Sequence, residues 1–255
     1  MDGDTRRPVG AVAVTVAAML ALAGCTDGSE RTDRVTVFAA ASLTESFQAI
    51  ADTFMQRNPA IDVTFNFAGS SALAQQITSG APADVFAAAS PATMRTVVGA
   101  GDAAGRPEVF ARNRLEIVVP PDNPGKVTSL ADFADPDLTI ALCAPEVPCG
   151  EAAERALAAA GIAPAPDTLE QDVKAALGKV ELGEADAALV YRTDAVAAGA
   201  GVRGIEFSEA ETAVNDYLIT TLTDAPNGAG ARAFVEYVRS AEGRQVLADA
   251  GFDRP

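Results

Sequence analysis

The chain contains no histidine and no tryptophan, and it has only three cysteines and three lysines among its 255 residues. Without histidine, the commonest general base and the commonest metal ligand of proteins are both missing. Acidic residues outnumber basic ones by 35 to 19, so the formal charge is −16. A charge of this sign argues against nucleic acid and anionic membrane surfaces as partners. We therefore expect neither a site for a bare metal cation nor histidine-dependent catalysis.

Near the N-terminus, the apolar stretch of residues 9–23 follows Arg6 and Arg7. It is too short to span a bilayer core of ~30 Å as a stable helix. It ends at Leu22-Ala23-Gly24-Cys25, which resembles a bacterial lipobox, where small residues precede the cleaved bond and the cysteine is lipidated. An ordinary secretory signal with a chance cysteine is the main alternative. A twin-arginine export signal is a lesser one, because the usual hydrophobic residues do not follow the arginines.

The lipobox predicts that residues 1–24 are a lipoprotein signal peptide and that Cys25 is the lipidated first residue of the mature chain. Residues 25–33 are polar and are expected to form a flexible tether. The protein is then anchored to the outer face of the cytoplasmic membrane, which it contacts only through the lipid. A Gram-positive surface and a periplasm both remain open, because such an anchor suits either.

Two cysteines, Cys143 and Cys149, remain in the mature chain. A disulfide between them is possible outside the cytosol, and they are close enough in sequence to bridge one loop. Two free thiols and a metal-binding pair are the alternatives. A metal site would need further ligands, and neither histidine nor a third thiol is available.

Short β-prone runs alternate with helical patterns along the rest of the chain. The runs cover residues 35–39, 61–67, 83–88, 115–119, 138–142, 185–191 and 217–222. Helices are expected to begin at Ser42 and Asp172 and to cover residues 72–78, 150–160 and 228–250. Strands and helices in this order, with tight connections, predict parallel α/β sheets with right-handed crossovers. The order restarts at Leu115, which predicts two lobes with a ligand cleft between them.

Two serines occupy the same place in this pattern, each after a strand and at the start of a helix. Ser42 follows the first strand and has the capping-box spacing with Glu45, and Ser70 follows the second strand. A helix start presents unpaired N–H groups and the positive end of the dipole, so two of them could hold two oxygens of one tetrahedral anion. The alternative is that both serines are ordinary N-caps.

Six segments of the chain stand out as a series. They are residues 37–44 (VFAAASLT), 67–74 (FAGSSALA), 80–86 (GAPADVF), 147–150 (VPCG), 172–173 (DV) and 189–195 (LVYRTDA). In this order they resemble the molybdate-binding protein family (ModA) of bacterial ABC importers, and the resemblance covers essentially the whole mature chain. It implies an α/β fold of the periplasmic-binding-protein type II class, in which two lobes enclose a ligand cleft.

The chain of this family crosses its hinge twice, and the strand–helix order restarts at Leu115. Together these features predict that lobe 1 consists of residues 34–113 and 218–255, and that lobe 2 consists of residues 114–217.

The resemblance also implies a ligand set for a bare oxyanion. Ser42 and Ser70 match two serines that donate through backbone N–H and hydroxyl. Cys149 and Val173 match two residues that donate a backbone N–H, although familiar members often have alanine at the first position. Tyr191 matches a phenol donor. A disulfide to Cys143 would pin the loop that carries Cys149.

The function that the resemblance implies is capture of molybdate and tungstate and delivery to an ABC permease with its ATPase. The protein is expected to be a monomer that needs no cofactor and catalyses no reaction. Neutral donors suit an anion that is fully deprotonated at neutral pH, whereas phosphate keeps a proton and needs an acceptor. Asp172 is the nearest carboxylate in sequence. Sulfate, which carries no proton, remains an alternative ligand.

Two other functions compete with this one. A hydrolase using Ser42 or Ser70 is disfavoured, because the chain has no histidine and no lysine at a recognisable dyad spacing. A surface lipoprotein with an adhesive or structural role is the other alternative. Titration with molybdate would separate it from a binding protein.

Overall fold

The computed structural model describes residues 33–255. The predicted signal peptide, the lipidated Cys25 and all but the last residue of the predicted tether lie outside the described residues. Within residues 33–255, no helix is both long enough and apolar enough to cross a membrane.

The described residues form ten strands and eight α-helices. The strands are β1 (Asp33–Ala40), β2 (Ile61–Ala68), β3 (Val85–Ala88), β4 (Glu108–Asn113), β5 (Leu115–Val119), β6 (Ile140–Cys143), β7 (Thr168–Glu170), β8 (Ala187–Tyr191), β9 (Arg203–Ile205) and β10 (Asn215–Thr221). The helices are α1 (Thr44–Arg57), α2 (Ser70–Thr78), α3 (Pro91–Ala100), α4 (Pro148–Ala160), α5 (Val173–Glu181), α6 (Arg192–Ala198), α7 (Gly228–Val238) and α8 (Ala241–Asp249). Each predicted strand is present, with bounds that differ from the prediction by at most two residues.

The strands form two five-stranded sheets with helices packed on them, which confirms the predicted α/β class. The first sheet has the order β2-β1-β3-β10-β4, and the second has the order β7-β6-β8-β5-β9. In the first, β1 is parallel to β2 and β3. In the second, β6 is parallel to β7 and β8. The carboxyl ends of these parallel strands are where ligands bind in open α/β sheets.

The predicted parallel pairing is confirmed for β1–β3 and for β6–β8, whereas one strand of each sheet runs the other way. β10 is antiparallel to β3 and β4, and β5 is antiparallel to β8 and β9. Both strands follow a passage of the chain from one sheet to the other. Their direction depends on where the chain enters the sheet, which alternation of strands and helices along the sequence does not encode.

The chain passes between the sheets twice. It leaves the first sheet after Asn113 and enters the second at Leu115. It returns at Asn215, where β10 begins to pair with β4. The predicted boundary at residue 218 therefore falls inside β10. The residue bounds of the two lobes stay a prediction, whereas the two sheets and their strand orders are observed.

Aromatic packing holds α1 against α7. Phe47 and Phe54 are buried and pack edge-on against Phe234 of α7, with ring centroids 6.1 and 5.5 Å apart. Each buried apolar side chain of this size contributes about 1.5–3 kcal/mol to folding. This packing fixes the start of α1, and with it the segment that carries Ser42.

Candidate functional site

A small cavity lies between the two sheets, and all five residues of the implied ligand set line it. Ser42 and Ser70 approach it from the first sheet, and Cys149, Val173 and Tyr191 approach it from the second. The volume of the cavity is about 20 Å³, whereas sites for drug-sized ligands have about 300–1,000 Å³. The cavity therefore suits a ligand of only a few atoms.

Three α-helices begin at the cavity. Ser70 is the first residue of α2, Cys149 is the second residue of α4, and Val173 is the first residue of α5. The N–H groups of a first helical turn have no acceptor within the helix, and the dipole makes that end positive. The three beginnings therefore offer donors and a favourable electrostatic potential to an anion.

Ser42 does not cap a helix, so the predicted capping box with Glu45 is wrong. Ser42 lies in a short 3₁₀ turn, α1 begins two residues later, and no side chain caps it. The hydroxyl oxygen of Ser42 instead lies 2.8 Å from the phenol oxygen of the buried Tyr217. This tertiary hydrogen bond outcompetes the local capping contact and holds the Ser42 hydroxyl at the cavity.

Ser70 is not an N-cap either, because Gly69 occupies that position of α2. The Ser70 side chain is buried, and its hydroxyl oxygen accepts the backbone N–H of Ala89 at 3.0 Å. An accepted N–H leaves the hydroxyl hydrogen free to be donated elsewhere. The alternative that both serines are ordinary N-caps is therefore wrong.

Tyr191 ends β8 and is wholly buried beside the cavity. Its phenol oxygen accepts a hydrogen bond from the side-chain amide of Asn215 at 2.7 Å. Burial raises the pKa of Tyr191 far above its ordinary value. The phenol therefore keeps its proton across the physiological pH range and acts as a neutral donor.

A disulfide joins Cys143, at the end of β6, to Cys149, near the start of α4. Next to it, Gly150 sits so close to the preceding loop that a Cβ there would collide with the carbonyl oxygen of Ala144. Only glycine fits such an approach. The disulfide and this contact fold residues 144–148 tightly against the start of α4, where the backbone N–H of Cys149 lies.

Among the described residues, no lysine or arginine side chain lines the cavity. Asp172 does line it, and one of its carboxylate oxygens accepts the N–H of Ala175 at 3.0 Å. Asp172 is thus the N-cap of α5, as predicted. The anion-binding potential of the cavity therefore comes from hydrogen-bond donors and helix ends rather than from a formal positive charge.

Lys174 stands just beyond the cavity, in the first turn of α5. Its ammonium pairs with Glu45 of α1 at 2.8 Å and with the buried Asp194 of α6 at 3.3 Å. Burial raises the pKa of Asp194 to about 6, although the ammonium of Lys174 counteracts part of that rise. Burial alone would lower the pKa of Lys174, but Asp194 and Glu45 raise it above its ordinary value.

The cleft is closed over the cavity. The Ser71 hydroxyl, in α2, donates to the carbonyl oxygen of Glu146, in the loop between β6 and α4. A Cβ on Gly69 would collide with the carbonyl oxygen of Gln171, so the two sides touch there through backbone. With the Lys174–Glu45 pair, these contacts connect the two sides on more than one edge of the cavity.

The sequence-based prediction does not include the residues whose side chains contact Tyr191 and Ser42. They include Asn215, whose amide contacts Tyr191, and Tyr217, whose phenol contacts Ser42. The sequence indicates only that Tyr217 lies in a strand, and Asn215 is a polar residue just before that run. Nothing local in the sequence shows that these side chains reach the second sheet and the segment after β1.

Comparison with known proteins supports the same assignment. The family model of the bacterial extracellular solute-binding proteins matches residues 35–253. The molybdate-binding protein ModA of Mycobacterium tuberculosis is 45% identical over 233 residues, which are 91% of this chain and 88% of that protein. A putative ABC transporter substrate-binding lipoprotein of Bacillus subtilis, YvgL, is 30% identical over 92% of this chain and 94% of its own length.

A solved structure shares the fold. The periplasmic molybdate-binding protein of Azotobacter vinelandii aligns with a TM-score of 0.76 at 20% identity, covering 87% of this chain and 99% of its own. This similarity confirms the predicted periplasmic-binding-protein fold.

Proposed function

The chain belongs to the ModA family of bacterial extracellular solute-binding proteins, and we propose that it binds molybdate in the cavity between its two sheets. One observation carries this proposal. Five residues distant in sequence line a single small cavity: Ser42, Ser70, Cys149, Val173 and Tyr191. The ligand names of the relatives agree with the chemistry of this cavity.

The donors of the cavity favour a bare oxyanion. Serine hydroxyls, a phenol and the first N–H groups of helices can all donate to it without any formal charge. Hydrogen bonds of this kind to an anion are worth about 1.5–3 kcal/mol each, before the cost of dehydrating the anion is subtracted. No lysine or arginine among the described residues lines the cavity, so no formal positive charge opposes dissociation of the bound anion. Release is required of a carrier.

Tungstate belongs to the same proposal, because it has the charge and tetrahedral shape of molybdate and needs the same donors. We assign the protein an extracytoplasmic role, with delivery of the anion to an ABC permease and its ATPase. Anchoring through a lipid on Cys25 is part of this proposal, and the Bacillus subtilis relative named a lipoprotein supports it. The carrier acts as a monomer.

No catalytic role is proposed for the two serines. The hydroxyl oxygen of Ser42 contacts the phenol of Tyr217, and that of Ser70 accepts a backbone N–H from Ala89. Neither partner is a base that could activate a serine as a nucleophile.

Calorimetric titration of the purified lipoprotein in detergent with molybdate tests the proposal. We expect one site per chain. A competition series with tungstate, sulfate and phosphate, followed by thermal shift, ranks the ligands. Absence of any molybdate binding would refute the proposed function. Tighter binding of sulfate than of molybdate would mean that sulfate is the ligand of the site.

A further inference from the structure

The buried side-chain amide of Asn215 contacts the phenol of Tyr191, which lines the cavity. Asn215 begins β10 in the first sheet, and its side chain reaches into the second. The amide nitrogen lies 2.7 Å from the phenol oxygen of Tyr191 and 3.1 Å from the carbonyl oxygen of Pro148. The amide oxygen lies 2.5 Å from the guanidinium of Arg155, which is half-buried.

These partners allow the amide of Asn215 only one orientation. The carbonyl oxygen of Pro148 can only accept a hydrogen bond, and the guanidinium of Arg155 can only donate one. The NH₂ group of Asn215 must therefore face Pro148, and so it also faces Tyr191. Tyr191 consequently accepts from Asn215 and must donate its own hydrogen in another direction.

A second asparagine contacts the phenol that lies beside Ser42. The oxygen of the Asn113 side chain accepts the N–H of Arg114 at 3.1 Å, so its NH₂ group donates to the Thr193 hydroxyl at 2.8 Å and faces the phenol oxygen of Tyr217 at 3.4 Å. The same phenol oxygen lies 2.8 Å from the hydroxyl oxygen of Ser42, and either oxygen can be the donor of that hydrogen bond. Asn215 and Asn113 thus each donate a side-chain N–H to a buried phenol.

We propose that Asn215 is a positioning residue that fixes the Tyr191 phenol as a donor to the ligand and thereby makes the site reject oxyanions that carry a proton. The inference rests on the proposed function of the cavity. A free hydroxyl can rotate and accept the proton of such an anion. Tyr191 accepts such a proton less readily, because the N–H of Asn215 already occupies one acceptor position of its phenol oxygen and its own hydrogen is directed elsewhere.

The substitution Asn215→Asp replaces the NH₂ group by an oxygen of nearly the same size. An ionised aspartate accepts the Tyr191 hydrogen and turns it away from the cavity, so the phenol oxygen becomes free to accept from a ligand. We expect molybdate and sulfate to lose affinity by about ten-fold to a hundred-fold, as for one lost donor to an anion. Hydrogen phosphate should lose less affinity, so the ratio of the molybdate affinity to the phosphate affinity should fall.

The three ligands should be compared at about pH 8, where molybdate, sulfate and most of the phosphate carry the same charge of −2. The added negative charge of the variant then weakens all three alike, and only the ligand with a proton can gain an acceptor. Asn227→Asp is a control that adds the same charge away from the cavity: the new carboxylate can still cap α7 by accepting the N–H of Gly230, although the bond from the amide to the carbonyl oxygen of Arg34 is lost. It should leave the three affinities in their wild-type ratios.

Asn215→Leu, measured with and without Tyr191→Phe, keeps the proposal testable if the aspartate variant does not fold. If Asn215 acts through the phenol, the leucine substitution changes the molybdate-to-phosphate ratio in the wild type and has no further effect on it in the phenylalanine background. Two results would overturn the inference, provided that the wild type binds molybdate. One is an equal change of the molybdate-to-phosphate ratio in the wild-type and Tyr191→Phe backgrounds. The other is a ratio that neither Asn215 variant changes. Failure of the wild-type protein itself to bind molybdate would instead refute the proposed function.

Discussion

The ammonium of Lys174 lies 2.8 Å from a carboxylate oxygen of Glu45, and this ion pair joins the start of α5 to the start of α1 across the closed cleft. Both helices begin beside the cavity, so the pair lies close to the proposed ligand without touching it. It forms only if the two sides are as close as they are here. The pair should therefore stabilise the closed state and slow release of the anion.

Glu45→Gln removes this pair and should speed molybdate dissociation by up to about five-fold, because partly exposed ion pairs contribute about 0–1 kcal/mol. Stopped-flow release into a competing anion measures the rate. Glu184→Gln is a matched control, because Lys179 and Glu184 form a pair of 2.7 Å with similar exposure at the far end of α5. The difference between the variants should shrink in high salt. Equal release from wild type and Glu45→Gln would show that the pair does not hold the cleft closed.

The disulfide between Cys143 and Cys149 should stabilise both the fold and the site. The two cysteines are six residues apart, and closing so short a loop stabilises a protein by about 2 kcal/mol through the entropy of the unfolded chain. Reduction should lower the melting temperature and weaken molybdate binding, because the Cys149 N–H is then held less firmly. The double variant Cys143→Ala, Cys149→Ala should show both effects and no response to reductant. A wild-type protein that melts and binds alike with and without reductant would contradict this role.

Ser70→Ala should weaken molybdate binding by about 1–3 kcal/mol, because it removes a donor to the anion and also leaves the N–H of Ala89 without its acceptor. Calorimetry gives the affinity, and chemical unfolding gives the stability of the same sample. Ser240→Ala is the control, since Ser240 caps α8 with its hydroxyl and is absent from the cavity lining. It should reduce stability with little change in affinity. Similar losses of affinity in both variants would show that the Ser70 hydroxyl has no specific role at the ligand.

Local patterns in the sequence predicted much of this fold. The bounds of β5 and the cap at Asp172 follow from periodicity and capping chemistry, which depend on residues close together in the chain. The five cavity residues came instead from the resemblance to a family, and the structure brings them to one place. Periodicity alone suggested only that Ser42 and Ser70 stand at similar positions.

What the sequence could not predict depends on contacts between distant residues. Ser42 and Glu45 have the spacing of a capping box, but a phenol 175 residues away takes the serine hydroxyl. The orientation of Tyr191 is set by Asn215, which belongs to a strand of the other sheet. The direction of β10 is likewise decided by the return of the chain from the second sheet. In each case a tertiary contact overrides or adds to a local preference.

Asp194 should make the stability of the protein depend on pH in the opposite direction to an ordinary salt-bridged carboxylate. Its ordinary pKa is 3.8, and burial raises the pKa in the folded protein to about 6. Between these values the folded protein binds a proton that the unfolded chain does not, so stability falls as pH rises through this window. The penalty is fully present above about pH 6 and is relieved as pH falls toward about 4. A shift of this size corresponds to about 3 kcal/mol.

The substitution Asp194→Asn removes this titration while keeping the shape of the side chain, so the comparison isolates one group from the other carboxylates. Urea unfolding of both proteins at about pH 7.5 and about pH 4.5 gives the difference in their free energies of unfolding at each pH. Between these two pH values, the free energy of unfolding of the wild type should rise relative to that of the variant by about 2 kcal/mol. Lys174 stays protonated throughout this range, and its pKa is raised in the folded state, so it contributes no change of its own. A difference that does not vary with pH would mean that Asp194 remains ionised in the folded protein, with the Lys174 ammonium outweighing the cost of burial.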